Sequence, residues 1–220
     1  MIPALSRPAA AARVAGLLYL VIIVAGVAGE ALVRGALAVP GEPQQTAANI
    51  VAAALPLRLS VMGDAVMALA DVALGVLLYL LLRPVSPALS LMAMAFRLAQ
   101  AAILGVNLLN LLLAARLAGQ GDPLAAVFLE AHGVGYDLGL LFFAINCLLV
   151  GALVYRGMSR TIGALVGLSG VVYLVGSTLR VVAPELAAAA APAYVLPLVA
   201  ELALCGALLM GRAPRPAAAA

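Results

Sequence analysis

The chain has 220 residues, of which 66% are hydrophobic and only 10% charged, and its formal net charge is +3. Soluble domains carry about 25% charged residues, so too little polar surface exists here to cover a globule in water, whereas a protein embedded in lipid needs no such cover. All twelve basic residues are arginine, and all but Arg97 sit singly at the ends of apolar runs, which argues against a nucleic-acid surface and excludes a lysine Schiff-base cofactor.

This pattern predicts an all-α fold, an integral membrane bundle of about six transmembrane helices with a short interfacial helix between the first two. Residues 1–220 read as a single transmembrane domain. The first span is expected over 13–35. Arg7 and Arg13 ahead of an apolar stretch, with Ala28 and Gly29 after it, imitate a secretory signal. The uncharged run 14–29 exceeds a signal's usual apolar core of about 7–15 residues, so a retained helix is expected. Pro40, Gly41 and Pro43 break it. Thr46 is the expected N-cap of an interfacial helix over 47–55, ended by Pro56, and the second span follows over 60–82.

Arg83-Pro84-Val85-Ser86-Pro87 is a tight connection in which Ser86 can cap and Pro87 suits a first helical turn. The third span is expected over 87–117. Gly119, Gly121, Asp122 and Pro123 repeat the stop, cap and start. A half-helix over 123–133, with Gly133 and Gly135 allowing a bend, leads into the fourth span at 134–155. Arg156, Ser159 and Arg160 form the next turn, followed by a fifth span at 161–182, stopped by Pro184. The sixth is expected at 193–210, and 213–220 as a disordered tail.

With six spans both termini share one side. That side holds seven arginines (Arg7, Arg13, Arg83, Arg156, Arg160, Arg212, Arg215) against four (Arg34, Arg58, Arg116, Arg180) on the other. The excess is expected to place both termini in the cytoplasm. Gly163 and Gly167, with Gly170, and Gly135 with Gly139 have small-xxx-small spacing, expected to pack helices within the monomer; a homo-oligomer stays open. Without tryptophan, the interfacial belt rests on Tyr19, Tyr79, Tyr155 and Tyr194. Cys147 and Cys205 read as small hydrophobes.

Charges in mid-membrane are costly, at least ~2.5–3.5 kcal/mol on insertion scales. Asp71, Arg97 and Glu201 fall near mid-span, and Gln100 and Asn107 share the helical stripe of Arg97. A second polar layer lies nearer the outer face: Glu30 and Arg34, Arg58 and Asp64, Glu130, His132 and Asp137, Arg180 and Glu185. Asp64 and Asp71 share one face and link the layers.

His132 is the sole histidine. One histidine among carboxylates is a weak metal signal, so no metal is expected, nor any cofactor. Gly167-Leu168-Ser169-Gly170 imitates the nucleophile motif of rhomboid proteases, but no histidine follows Ser169 to activate it. Haem held by two histidines is excluded by the count.

The string Glu130-Ala131-His132-Gly133-Val134-Gly135-Tyr136-Asp137-Leu138-Gly139-Leu140-Leu141-Phe142-Phe143 resembles the bacterial membrane family called domain of unknown function 4386. Agreement extends to Arg13 through Leu20, Thr46 through Ile50, Leu57-Arg58-Leu59 with Asp64, Arg97-Leu98 and Glu201. The family tends to show Pro-Arg before helix five where this chain has Ser159-Arg160, which implies a looser turn. The resemblance implies architecture and carries no catalytic residues.

The leading expectation is a protein that binds a small molecule or lipid in a polar pocket, as a transporter or sensor. Asp71, Arg97, Glu201, Gln100 and Asn107 lie deep in that pocket, with Asp64, His132 and Asp137 at its mouth. Two alternatives stand beside it. One is an intramembrane hydrolase or lipid-modifying enzyme using His132 with Asp137 or Glu130. The other is a non-catalytic scaffold, whose ion pairs would be buried with no cavity beside them.

Overall fold

The structure is a computed structural model that describes residues 7–214. In lipid no water satisfies a backbone N–H or C=O, so long apolar runs close their hydrogen bonds internally as helices. Helix α1 spans Pro8–Leu32 and ends in a 3-10 turn, Arg34–Ala36. Next come α2 (Pro43–Ala52), α3 (Ala54–Leu82), α4 (Pro87–Ala118), α5 (Leu124–Gly157) and α6 (Arg160–Val182). The short α7 (Pro184–Ala190) and a 3-10 turn, Ala191–Tyr194, lead into α8 (Val195–Leu209). Six of these segments are long and apolar enough to cross a membrane, and there is no strand among the described residues. The chain is an all-α, multi-pass membrane protein.

Several boundaries differ from the sequence-based expectation, each for a local reason. Helix α1 starts at Pro8 rather than 13, because proline suits a first turn. Thr46 caps nothing. Helix α2 begins at Pro43, and the buried Thr46 hydroxyl instead accepts the Val39 N–H at 3.0 Å, pinning the preceding loop. Pro56 does not break the chain either. It lies in the first turn of α3, which starts at Ala54 rather than 60, where its missing N–H has no partner to lose. The half-helix at 123–133 and its bend are absent, since α5 runs unbroken through Gly133 and Gly135. From Arg215 onward the expected tail lies outside the described residues.

The six long helices form a closed ring in which each packs on its chain neighbours: α1 on α3, α3 on α4, α4 on α5, α5 on α6, α6 on α8, and α8 back on α1. The last seam joins the two ends of the chain. A Cβ on Gly16 of α1 would lie 2.7 Å from the Leu209 backbone nitrogen of α8, so only glycine permits this approach. The buried Cys205 thiol donates to the Gly16 carbonyl across the same seam, at 3.4 Å. The ring's outer surface is aliphatic, with Leu17, Val24, Leu69, Val106, Leu168 and Leu202 all exposed. In a bilayer such a surface meets acyl chains at no cost.

At the end away from the described termini, α2 lies across α3, α4 and α5 through Ala47 and Ile50, which pack with Leu57, Leu111, Ala125 and Leu129. We call this the distal end. At the opposite end Ser86 and Ser159 cap α4 and α6; the Ser159 hydroxyl accepts the Ile162 N–H at 3.3 Å. The turn that lacks the family's proline is thus held by a side chain. Ser159→Ala is expected to lower stability by about 1 kcal/mol, read as the unfolding midpoint in detergent; an unmoved midpoint would remove this cap from the account.

Candidate functional site

A buried guanidinium occupies the middle of the ring. Arg97 of α4 is 2% exposed and donates to Asp71 of α3 at 2.5 Å. Its other terminal nitrogen reaches the Asn146 amide oxygen on α5 at 3.5 Å, and Asn146 in turn donates to the Ala93 carbonyl at 2.7 Å. Gln100, one turn along α4, donates its amide N–H to the second Asp71 oxygen at 3.3 Å. The guanidinium lies over two rings, Tyr19 of α1 at 5.4 Å and Phe143 of α5 at 5.2 Å. Ion pairing, hydrogen bonds and ring faces together replace the hydration a buried cation loses. Four helices meet on this one side chain.

Glu201 was expected in this cluster but bonds elsewhere. Its carboxylate accepts the Tyr173 hydroxyl of α6 at 2.7 Å and makes no ion pair among the described residues. It faces Asp71 and Arg97 across a cavity of about 380 Å³ whose wall draws on all six long helices. Tyr136, Tyr173 and Tyr194 complete the polar lining, and Ile22, Leu104 and Leu198 are among its apolar members. Tyr173 and Tyr194 meet nearly edge to face, with centroids 5.7 Å apart. Tyr194 is therefore a wall residue and Tyr19 a ring beneath the guanidinium; neither belongs to the interfacial belt foreseen for them.

Two polar atoms of residues lining this cavity lack partners among the described residues, the Gln100 amide oxygen and the Arg97 Nε, and both atoms are buried away from its open space. The Gln100 orientation follows from its neighbour. The nitrogen must face the Asp71 carboxylate, so the oxygen is the free end. A buried acceptor left open costs about 1–3 kcal/mol.

Toward the distal end a smaller space of about 310 Å³, lined by His132, Asp137 and Arg180, shares Glu30, Tyr136, Tyr173 and Tyr194 with the first. A wider recess of about 650 Å³ under α2 shares Glu30 and His132 with that one. The three adjoin one another between the distal end and mid-bundle. Arg34 anchors its rim, donating to Asp64 at 2.6 Å, Ser60 at 2.9 Å and Glu30 at 3.1 Å.

The remaining expected site residues separate. Asn107 belongs to the distal layer, donating to the His132 carbonyl at 2.8 Å and sharing a 3.1 Å contact with the His132 Nδ1. Asp137 accepts from Arg180 at 2.7 Å and from Ser177 at 3.0 Å. Glu130, Arg58 and Glu185 are exposed and leave the inner layer altogether. No carboxylate bonds the His132 ring among the described residues. The pairing of His132 with Asp137 or Glu130 is thus not formed. Ser169 is buried and donates to the Leu165 carbonyl at 2.9 Å, as a packing residue does. Asn146, Phe143 and Tyr173 went unforeseen. Asn146 is an amide inside an apolar run, a signal of the same kind as Gln100.

The profile of the family described as domain of unknown function (DUF4386) matches residues 14–211. The chain belongs to the DUF4386 family. An uncharacterized protein of Archaeoglobus fulgidus is 32% identical to it over 127 residues, covering 57% of this chain and 69% of the archaeal one. No solved structure matches the chain. The DUF4386 match takes in every residue of the Arg97 centre and of the cavity wall around Glu201.

Proposed function

We propose that this DUF4386 protein binds a small molecule or single lipid in the mid-bundle cavity, as a transporter or sensor. In this reading the distal end faces away from the cytoplasm, as the arginine excess implies. The observation that carries it is the position of Gln100 and Glu201. Both residues line a half-open space of about 380 Å³ within an apolar bundle, and Glu201 brings to it a carboxylate that makes no ion pair among the described residues. Ligand sites are commonly apolar spaces of about 300–1,000 Å³ with a few convergent polar groups. A scaffold would gain nothing from that space, since polar groups serving as glue between helices are paired. Arg97 enters as a structural post rather than as a ligand contact, because its terminal nitrogens and its ring neighbours are already engaged.

The test is native mass spectrometry of protein released from native-lipid nanodiscs, comparing wild type with Leu198→Trp, which fills the cavity from α8. Wild type is expected to carry a bound mass that the variant lacks at equal helicity. Identical spectra for the two proteins would sink the proposal.

A further inference from the structure

The charges around the cavity do not balance: Arg34 is shared by two carboxylates, and a further carboxylate has no cation at all among the described residues. The polar region, from the buried centre to the exposed rim at Glu30 and Arg180, holds five carboxylates, Glu30, Asp64, Asp71, Asp137 and Glu201. It holds three guanidiniums, and each is taken: Arg34 by Glu30 and Asp64, Arg97 by Asp71, Arg180 by Asp137. Glu201 is the carboxylate without a cation among the described residues, and it lies on the cavity wall.

What surrounds Glu201 completes the case. The rings of Tyr136, Tyr173 and Tyr194 line the same space. Arg97 already covers Tyr19 and Phe143, whereas no cation covers these three among the described residues. A carboxylate beside several tyrosine rings attracts an alkylammonium twice over, by charge and by the ring quadrupoles. A bare metal ion fits poorly. No group of three histidine, cysteine or carboxylate ligands gathers among the described residues.

We propose that the cavity takes a protonated organic amine. Its ammonium lies between Glu201 and the rings of Tyr136, Tyr173 and Tyr194, and its apolar body lies along Ile22, Leu104 and Leu198. This rests on the binding function proposed above and names the class of ligand.

The experiment is isothermal titration of the protein in lipid nanodiscs, with empty nanodiscs subtracted. Three probes of one shape are compared: 4-phenylbutylamine, 4-phenylbutanol and 4-phenylbutyrate. The amine is expected to bind saturably, about tenfold tighter than the alcohol, with the acid weaker still. Glu201→Gln is expected to bring the amine down to the alcohol's affinity. Tyr194→Leu, which keeps the carboxylate, is expected to weaken the amine several-fold and serves as the second variant should Glu201→Gln not fold. An acid or alcohol that binds as tightly as the amine would overturn the cationic assignment and leave the cavity a binding site. An amine preference that survives both substitutions overturns it equally. Saturable binding by none of the three would overturn the binding function as well.

Discussion

Replacing Arg97 with Leu is expected to destabilise the protein by about 3–5 kcal/mol, the cost of breaking a buried pair and leaving its partner's charge alone. Asp71 would then sit 2% exposed at the bundle's centre with only the Gln100 amide. The Asn146 oxygen and the Tyr19 and Phe143 faces would lose their cation too. The double variant Asp71→Leu/Arg97→Leu separates an isolated charge from lost packing. It is expected to recover most of the stability, since apolar replacement of a whole buried pair is often neutral or favourable. Unfolding midpoints in detergent for the two singles and the double measure this. Additive losses would show that the two side chains are not a coupled pair and would remove the guanidinium post from the fold.

Gly151→Ala is expected to have the next largest effect, about 1–3 kcal/mol of destabilisation. A Cβ there would lie 2.8 Å from the Gly163 carbonyl oxygen and 2.7 Å from the Gly167 Cα, all backbone atoms of α6 that cannot swing aside. The two helices would have to part along their whole seam. Gly167→Ala, on the same seam, is expected to do the opposite. Nothing lies within 4 Å of its Cβ direction, so the change removes a helix-weakening glycine and gains up to about 1 kcal/mol. Equal and opposite-signed midpoints are not required, but Gly151→Ala matching wild type would show that α5 and α6 are not in backbone contact.

This pair also shows what the sequence conveys and what it withholds. Small-xxx-small spacing named Gly163 with Gly167, yet the close approach at Gly151 is made by Gly163 and the Gly167 backbone, with no side-chain space needed at Gly167 itself. Spacing reports which residues share a face, not how far the neighbouring backbone stands from it. The six spans were legible because a charge inside lipid is expensive enough to clear the apolar runs of nearly all of them. Helix limits were less legible. Pro56 reads as a helix end and Gly133–Gly135 as a step that allows a bend, but a first turn tolerates proline, and packing of α5 on both α4 and α6 outweighs glycine's weakness.

The site divides in the same way. The stripe of Arg97 and Gln100 and its acid Asp71 could be read from periodicity, since two of the three lie on one helix. Asn107 lies on that stripe as well, but about ten residues on, or ~15 Å along the axis, where its neighbour is His132. Glu201 pointed correctly inward, yet its partner Tyr173 was invisible, because a tyrosine in an apolar run looks like a hydrophobe or a belt residue. What sequence could not supply was the sum of the charges, which needs the knowledge of which acid meets which arginine.

The ring order has a consequence for how the protein is made. Five of its six seams join helices consecutive among the long six, so each can form as soon as the second helix of a pair has entered the membrane. The sixth, α1 against α8, joins segments some 190 residues apart, as in the contact of Cys205 with Gly16. Until α8 arrives the bundle is an open gutter, and Tyr19, Asp71 and Arg97 line a trough without its last wall. Helix α8 brings Glu201 and, at its N-cap, Tyr194, so the closing step of assembly is also the step that creates the pocket. A nascent chain stalled before that point would span the membrane five times, keep most of its helix pairs, and have no site to offer a ligand.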